Sequence, residues 1–149
     1  MPDMNILMGV GNTLRNDDGA GIYLAENFSK NGWISLVCGT TPENFTGIVR
    51  RENTKILVIV DAADMGLSPG EFRIIPEDMI EYTGFDTHIM DLKNLINFLR
   101  DITKEIILVG IQPKDIDFGE CISPEVMTGI KLLTKALYTD PHNIQKTRI

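Results

Sequence analysis

The sequence has little cysteine and no long run of apolar residues. Cys38 and Cys121 are the only two cysteines among 149 residues, and they form no CxxC pair. This spacing excludes a zinc ribbon and a dithiol redox site. It favours both as small packing residues in a reducing compartment, with a catalytic cysteine as the weaker alternative. The longest apolar runs, 56–60 and 106–109, are far shorter than the roughly 20 residues that a membrane-spanning helix needs.

Basic residues are also few. The chain has 14 lysines and arginines against 21 aspartates and glutamates, a net charge of −7. Nucleic-acid binding depends on a basic surface that neutralises phosphates, so no nucleic-acid partner is expected. The N-terminus lacks the basic region and apolar segment of a secretory signal. We therefore expect a cytoplasmic protein that does not insert into a membrane.

What is present is an alternation of apolar runs and helical patterns, which is typical of α/β proteins. The segment 77–88 has no clear period and is expected to be irregular, and the polar tail 140–149 is expected to be frayed. The sequence predicts one domain over 1–149, a three-layer α/β/α sandwich around a twisted, mostly parallel sheet of about five strands. The predicted strands are 5–9, 33–38, 55–60, 71–75 and 106–111, and the predicted helices are 21–28, 42–51, 90–100 and one starting at Ser123-Pro124.

The most informative segment is a glycine-rich, acidic turn at 9–21, between the first strand and the first helix. It contains Asp17 and Asp18 and lacks the lysine of a phosphate-binding loop. Two adjacent carboxylates would repel a phosphate and attract a cation. In open α/β sheets, ligands bind outside the carboxyl ends of the strands, which is where this turn lies. The turn therefore predicts a metal or general-base site.

Two further residues are candidates for the same site. Asp61 follows the third predicted strand without a gap, so Asp18 and Asp61 are expected at one edge of the sheet. If His88 folds back to join them, the three offer a partial coordination sphere suited to nickel or zinc. Spacing alone does not establish whether His88 does so.

Ordinary structural roles remain open for each residue. Asp17 or Asp18 could cap the helix that starts near Ala20, a common role for aspartate. Asp61 could accept a hydrogen bond from a turn amide at the end of its strand, and His88 could be a surface residue. Asp64 is another candidate carboxylate, but it lies further from the predicted strand.

Taken together, the motifs resemble those of the nickel-iron hydrogenase maturation endopeptidases, most closely the subgroup that serves formate hydrogenlyase and related membrane-bound hydrogenases. The matches occur in family order over nearly the whole chain. They are Val10-Gly11-Asn12, the run 17–21, Thr41-Pro42-Glu43-Asn44, the runs 59–66 and 69–75, Thr87-His88 and Gly110-Ile111-Gln112-Pro113.

The resemblance implies an aspartyl-type protease with a phosphorylase/hydrolase-like fold. Such enzymes remove the C-terminal extension of the hydrogenase large-subunit precursor once nickel has been inserted. By position, Asp18, Asp61 and His88 would be both the metal ligands and the catalytic residues. The nickel would be carried by the precursor, although other divalent ions could occupy the site. The resemblance does not decide whether a carboxylate or a metal-bound water carries out the hydrolysis. We expect the protein to be a monomer.

One segment departs from the family pattern. Val37-Cys38 stands before Gly39-Thr40, where the family commonly has an aspartate followed by glycine or cysteine. That carboxylate is associated with presenting the substrate near the scissile bond.

Two other functions remain as alternatives to the maturation endopeptidase. One is a metallohydrolase that uses its own ion on peptides or small molecules, and the other is a nickel-binding module without catalytic activity.

Overall fold

A mostly parallel sheet with helices on both faces forms the centre of the protein. The computed structural model describes residues 3–85 and 92–147. The strands are β1 (Met4–Val10), β2 (Trp33–Gly39), β3 (Thr54–Asp64), β4 (Phe72–Ile74), β5 (Gly84–Phe85) and β6 (Glu105–Ile111). The helices are α1 (Ala20–Glu26), α2 (Thr46–Arg51), α3 (Leu92–Arg100) and α4 (Pro124–Thr139). Short 3₁₀ turns occupy Asn16–Gly19, Pro42–Phe45, Glu77–Tyr82 and Pro141–Asn143.

The sheet has the order β2-β1-β3-β6-β4, and β5 pairs with the far end of β3. The first four strands of this order are parallel, whereas β4 runs antiparallel to β6. The β-branched run 56–60 lies in β3, at the middle of the sheet, where both faces are covered. The predicted α/β fold, with a mostly parallel central sheet, is confirmed.

Alternate residues of the central strands pack into two separate apolar layers. On one face α1 and α4 cover Leu7, Val58, Val60 and Val109. On the other face α2 and α3 cover Ile6, Met8, Leu57, Ile59 and Leu108. This arrangement leaves the carboxyl ends of the parallel strands as a shared edge at which loops from different parts of the chain meet.

Two predicted loops are more regular than their sequences indicated. The expected loop after the third strand does not begin at Asp61, because β3 continues through Asp64. Its last residues keep their ladder partners: Ala62 pairs with Ile111, and Asp64 pairs with Gly84 of β5. The segment predicted to be irregular contains the 3₁₀ turn Glu77–Tyr82 and β5.

The C-terminal tail differs from the expected frayed segment. Ile144 is buried in the core beneath α4, and Pro141 is also buried. The backbone then runs beside β4: the amide of Ile74 donates to the carbonyl of Gln145 at 2.8 Å, and the amide of Thr147 donates to the carbonyl of Ile74 at 2.8 Å. Burial of Ile144 and hydrogen bonding to the edge of β4 therefore order the C-terminal tail, although its sequence is mostly polar.

The helix predicted from Met90 is described from Leu92, and Met90 lies outside the described residues. No helix within 3–85 and 92–147 combines the length and the apolar character needed to cross a membrane.

Candidate functional site

The acidic turn folds back over the end of β1. Gly11, just past the strand, has a φ of +148°. A Cβ atom on Gly11 would lie 1.9 Å from the backbone oxygen of Asp18. The amide of Asn12 donates to the same backbone oxygen at 3.2 Å and to Oδ2 of Asp18 at 3.0 Å. Only a residue without a side chain allows this approach, which brings the carboxylate of Asp18 to the edge of the sheet.

Asp61 reaches the same point from the middle of the sheet. Its neighbour Val60 pairs with Gly9 of β1, and Asp61 itself pairs with Gly110 of β6, so it lies level with the end of β1. A Cβ atom on Gly11 would be 3.7 Å from Oδ1 of Asp61. Asp18 and Asp61 are each 1% exposed. Two buried carboxylates from distant parts of the chain therefore flank Gly11.

Close backbone packing fixes α1, and with it the acidic turn, against the strands. A Cβ atom on Gly21 would lie 2.5 Å from the carbonyl oxygen of Val60 and 2.6 Å from that of Val10. A Cβ atom on Gly9 would lie 2.3 Å from the carbonyl oxygen of Gly21. The start of the helix thus rests directly on β1 and β3, so the position of Asp18 is set by main-chain contacts.

The third predicted site residue, His88, lies outside the described residues, and its role stays a prediction. Within the described part of the chain, no group of three histidine, cysteine, aspartate or glutamate side chains could hold a metal ion. The other histidine, His142, is far from Asp61. Its ring contacts Asp140 at 2.8 Å and Glu105, the first residue of β6, at 2.9 Å. Hydrogen bonds to Glu105 and Asp140 raise the pKa of His142 above its ordinary value.

Asp17 has a different role from its neighbour. Its carboxylate accepts hydrogen bonds from the amides of Lys114 and Asp115, each at 2.9 Å, and from the amide and hydroxyl of Ser123 at 2.7 and 2.6 Å. Burial raises the pKa of Asp17, but these hydrogen bonds, led by those from Ser123, outweigh it and hold the pKa below its usual value. Asp17 therefore attaches the loop after β6 to the acidic turn.

Asp17 and Asp18 do not have the helix-capping role that the sequence left open for them. No side chain caps the 3₁₀ turn Asn16–Gly19 or α1. At the start of α4, Ser123 and Pro124 occupy the predicted positions, but the Ser123 hydroxyl donates to Asp17 and makes no capping bond. Thr41 likewise precedes Pro42 without a side-chain cap.

An open cleft of about 340 Å³ lies beside Gly11. It is lined by Gly11, Asn12, Thr13, Ile22, Val37, Gly39 and Thr40, so the ends of β1 and β2 form its walls. The amide of Gly11 donates to the carbonyl of Gly39 at 2.9 Å, which holds these two walls together. Such a cleft can receive an extended peptide next to the two carboxylates.

Comparisons with known proteins show the family to which this chain belongs. The family model described as hydrogenase maturation protease matches residues 22–140. The hydrogenase 3 maturation protease of Escherichia coli strain K12 is 43% identical over 118 residues, which cover 76% of each chain. This chain belongs to the hydrogenase maturation protease family.

Other relatives extend the match over almost the whole chain. A putative hydrogenase maturation protease of Methanocaldococcus jannaschii is 37% identical over 142 residues, covering 86% of this chain and 83% of the relative. A crystal structure of a hydrogenase 3 maturation protease superposes with a TM-score of 0.88 at 33% identity, covering 99% of this chain and 98% of the other.

The departure from the family's sequence pattern lies in the wall of the cleft. Val37 is 43% exposed and lines the cleft, whereas Cys38 is buried. Burial, with a smaller contribution from the charge of Glu43, raises the pKa of the Cys38 thiol to about 12. The thiol is therefore protonated at neutral pH, which argues against a catalytic cysteine here.

Gln112 is a positioning residue whose role the sequence did not reveal. It is 7% exposed, and its Oε1 accepts from the amides of Met65 at 2.7 Å and Leu67 at 3.3 Å. Its Nε2 donates to Oδ1 of Asp64 at 3.2 Å. Gln112 thus joins the segment after β3 to the end of β6. The sequence feature that could have indicated this role is a polar residue directly after a buried strand.

Proposed function

We propose that this protein removes the C-terminal extension of a nickel-iron hydrogenase large-subunit precursor after nickel has been inserted. Family membership supports the class of reaction. The observation that carries the proposal is the pair of buried carboxylates, Asp18 and Asp61, that flanks Gly11 beside an open cleft. The relatives are named as maturation proteases, and the precursor is the protein on which such an enzyme would act.

We further propose that Asp18, Asp61 and His88 together bind the nickel carried by the precursor. Carboxylate and imidazole are ligands that nickel accepts, so the two described members of the set have suitable chemistry. Recognition of the substrate and verification of its metal would then be a single event. We also propose that the protein acts in the cytoplasm and as a monomer.

The chain's own residues would act by holding the scissile peptide at the edge of the sheet. Binding of the precursor through its nickel would confine the peptide next to Asp18 and Asp61, and such confinement lowers the barrier to attack. Two routes remain for hydrolysis. A carboxylate of Asp18 or Asp61 could take a proton from the attacking water, or the nickel could polarise the scissile carbonyl or a bound water.

The test is to incubate the protein with nickel-loaded and nickel-free large-subunit precursor and to measure the intact mass of the large subunit. We expect loss of the C-terminal extension only with the loaded precursor. His88→Ala, Asp18→Asn and Asp61→Asn should each slow cleavage by about 100-fold or more while melting within a few degrees of the wild type.

Asp64→Asn is the matched control for Asp61→Asn, because Asp64 ends the same strand but is exposed and contacts Gly66 and Gln112. It should cleave as the wild type does. Normal processing by His88→Ala would remove the histidine from the mechanism. Equal cleavage of nickel-free precursor would overturn nickel recognition, and turnover of free peptides with added nickel would favour a self-sufficient metallohydrolase.

A further inference from the structure

Three exposed apolar side chains lie on segments next to the candidate site. Leu14 is 47% exposed, Ile116 is 38% exposed and Phe118 is 87% exposed. We call these three residues the apolar platform. Burying an apolar side chain stabilises a folded protein, so their exposure forgoes stability. Exposed apolar side chains that lie on hydrogen-bonded neighbouring segments can mark an interaction site.

The platform is held in place by hydrogen bonds between the acidic turn and the loop after β6. The amide of Asn16 donates to the carbonyl of Gly119 at 2.8 Å, and the amide of Gly119 donates to the carbonyl of Leu14 at 2.8 Å. Nε of Arg15 donates to the carbonyl of Ile116 at 3.1 Å. With the Asp17 contacts, these bonds join the two segments into one unit, so Phe118 is presented to solvent by a loop with fixed partners.

The platform is continuous with the candidate site through a short chain of contacts. The amide of Leu14 donates to the side chain of Asn12 at 2.9 Å, and the amide of Asn12 donates to Asp18 at 3.0 Å. Thr13, next to Leu14, lines the cleft beside Gly11. A protein whose peptide lies in the cleft would therefore place its adjoining surface over the platform.

The charges around the platform indicate the kind of surface that fits it. Asp115, Asp117 and Glu120 are exposed on the same loop. The two nearby cations have partners, because Lys114 is engaged with Glu125 at 2.6 Å and the half-buried Arg15 donates to the carbonyl of Ile116. The loop therefore combines an apolar centre with an acidic margin. Its complement is an apolar patch bordered by lysine or arginine.

A second copy of this chain is a poor occupant. A self-complementary contact would bring the acidic margins of two molecules together, each with a net charge of −7. Three side chains also cover far less than the roughly 800 Å² per partner that a stable dimer buries. The apolar platform is, however, large enough to be the central contact of a larger interface that also includes the cleft.

We propose that the apolar platform docks the folded body of the large-subunit precursor, through an apolar patch with a basic border, separately from the peptide that is cut. This inference rests on the proposed function for the identity of the partner. The platform would position the precursor so that its C-terminal segment enters the cleft. Phe118 is then a specificity determinant that takes no part in the chemistry.

The experiment is to measure binding of nickel-loaded precursor to the wild type, Phe118→Ser and Phe98→Ser by stopped-flow mixing, within the time before the precursor is cut. Phe118→Ser should raise the dissociation constant about tenfold or more, as expected for an aromatic residue at the centre of an interface. Phe98 is 48% exposed on α3, away from the platform, and Phe98→Ser should change the dissociation constant less than twofold. Asp117→Lys should also weaken binding, because it reverses a charge of the acidic margin.

The outcomes separate this inference from the proposed function. Wild-type protein that binds the precursor but leaves it uncut would refute the proposed function, and the loss of binding in Phe118→Ser would still support the platform. Equal binding by wild type and Phe118→Ser would overturn the platform whether or not the precursor is cut. Failure of the wild type to bind the precursor would overturn both. A wild-type dimer in sedimentation that Phe118→Ser abolishes would assign the platform to self-association and also overturn the proposal.

Discussion

At Gly11, two distant parts of the chain approach the residue that follows β1. A Cβ atom here would lie 1.9 Å from the backbone oxygen of Asp18 and 3.7 Å from Oδ1 of Asp61, and the φ of +148° is one that side chains disfavour. The position of Asp18 relative to Asp61 therefore depends on a residue that has no chemistry of its own.

Replacing Gly11 by alanine should displace the acidic turn. The added Cβ would lie 1.9 Å from a backbone oxygen, so main chain must move, and we expect the free energy of unfolding to fall by about 1–3 kcal/mol. Cleavage of the precursor should fall more than tenfold because Asp18 moves relative to Asp61. Urea unfolding and the mass assay measure the two effects.

Gly47→Ala is the control, since a Cβ atom at Gly47 in α2 meets nothing within 4 Å. It should leave cleavage intact and stabilise the protein by up to about 1 kcal/mol. If Gly11→Ala were as stable and active as Gly47→Ala, the close approach at Gly11 would have no functional importance.

The sequence allowed the location of Asp18 and Asp61 to be predicted because each follows a buried apolar run, and parallel strands end at one edge. It did not reveal the role of Asp17, whose partners Lys114, Asp115 and Ser123 lie about a hundred residues further along. Adjacent aspartates look alike in sequence. Only the fold separates the one that faces Gly11 from the one that anchors a loop.

Between elements, Asp17 is the main polar link from the acidic turn to the start of α4. Asp17→Asn should lower the free energy of unfolding by about 2–4 kcal/mol at pH 7, because an amide cannot accept from all four donors. The pKa of Asp17 is lower in the folded than in the unfolded protein, so its stabilising contribution is fully present above about pH 4.

That contribution is lost as the pH falls through the folded-state pKa, when the native carboxylate must take up a proton. The difference in stability between wild type and Asp17→Asn should therefore be largest at neutral pH and shrink below about pH 4. Urea titrations of both proteins between pH 3 and 7 measure it. A difference that does not vary with pH would show that the charge of Asp17 is unimportant.

The order and type of most elements could also be predicted, because the apolar runs and helical spacings are clear. The length of β3 could not: Asp61 and Asp64 resemble loop residues, and their strand pairing comes from β6 and β5. Local composition carries no information about such long-range partners, and tertiary pairing overrides it.

For the molecule as a whole, the sequence underestimated how much of the chain packs into the core. Ile144→Ala should lower the free energy of unfolding by about 2–4 kcal/mol, since Ile144 is 5% exposed among the residues beneath α4. Leu132→Ala, at a residue that is 56% exposed on α4, should change it by less than about 0.5 kcal/mol.

Chemical unfolding of the two variants against the wild type provides the measurement. Equal effects of Ile144→Ala and Leu132→Ala would mean that the tail contributes nothing to the stability of the fold. The tail was misjudged because Ile144 alone, among its polar neighbours, gives no periodic signal, and only the exposed edge of β4 explains the course of the tail.

The return of the chain along β4 has a consequence for how this protein behaves at high concentration. An uncovered outer strand offers free amide and carbonyl groups to any neighbour, and such strands seed the stacking of molecules into fibrils. Here the backbone of Gln145 and Thr147 already occupies the Ile74 groups on that side. Removal of these last residues would expose the unpaired outer edge of β4. Protein clipped there by proteases should therefore precipitate sooner than intact protein.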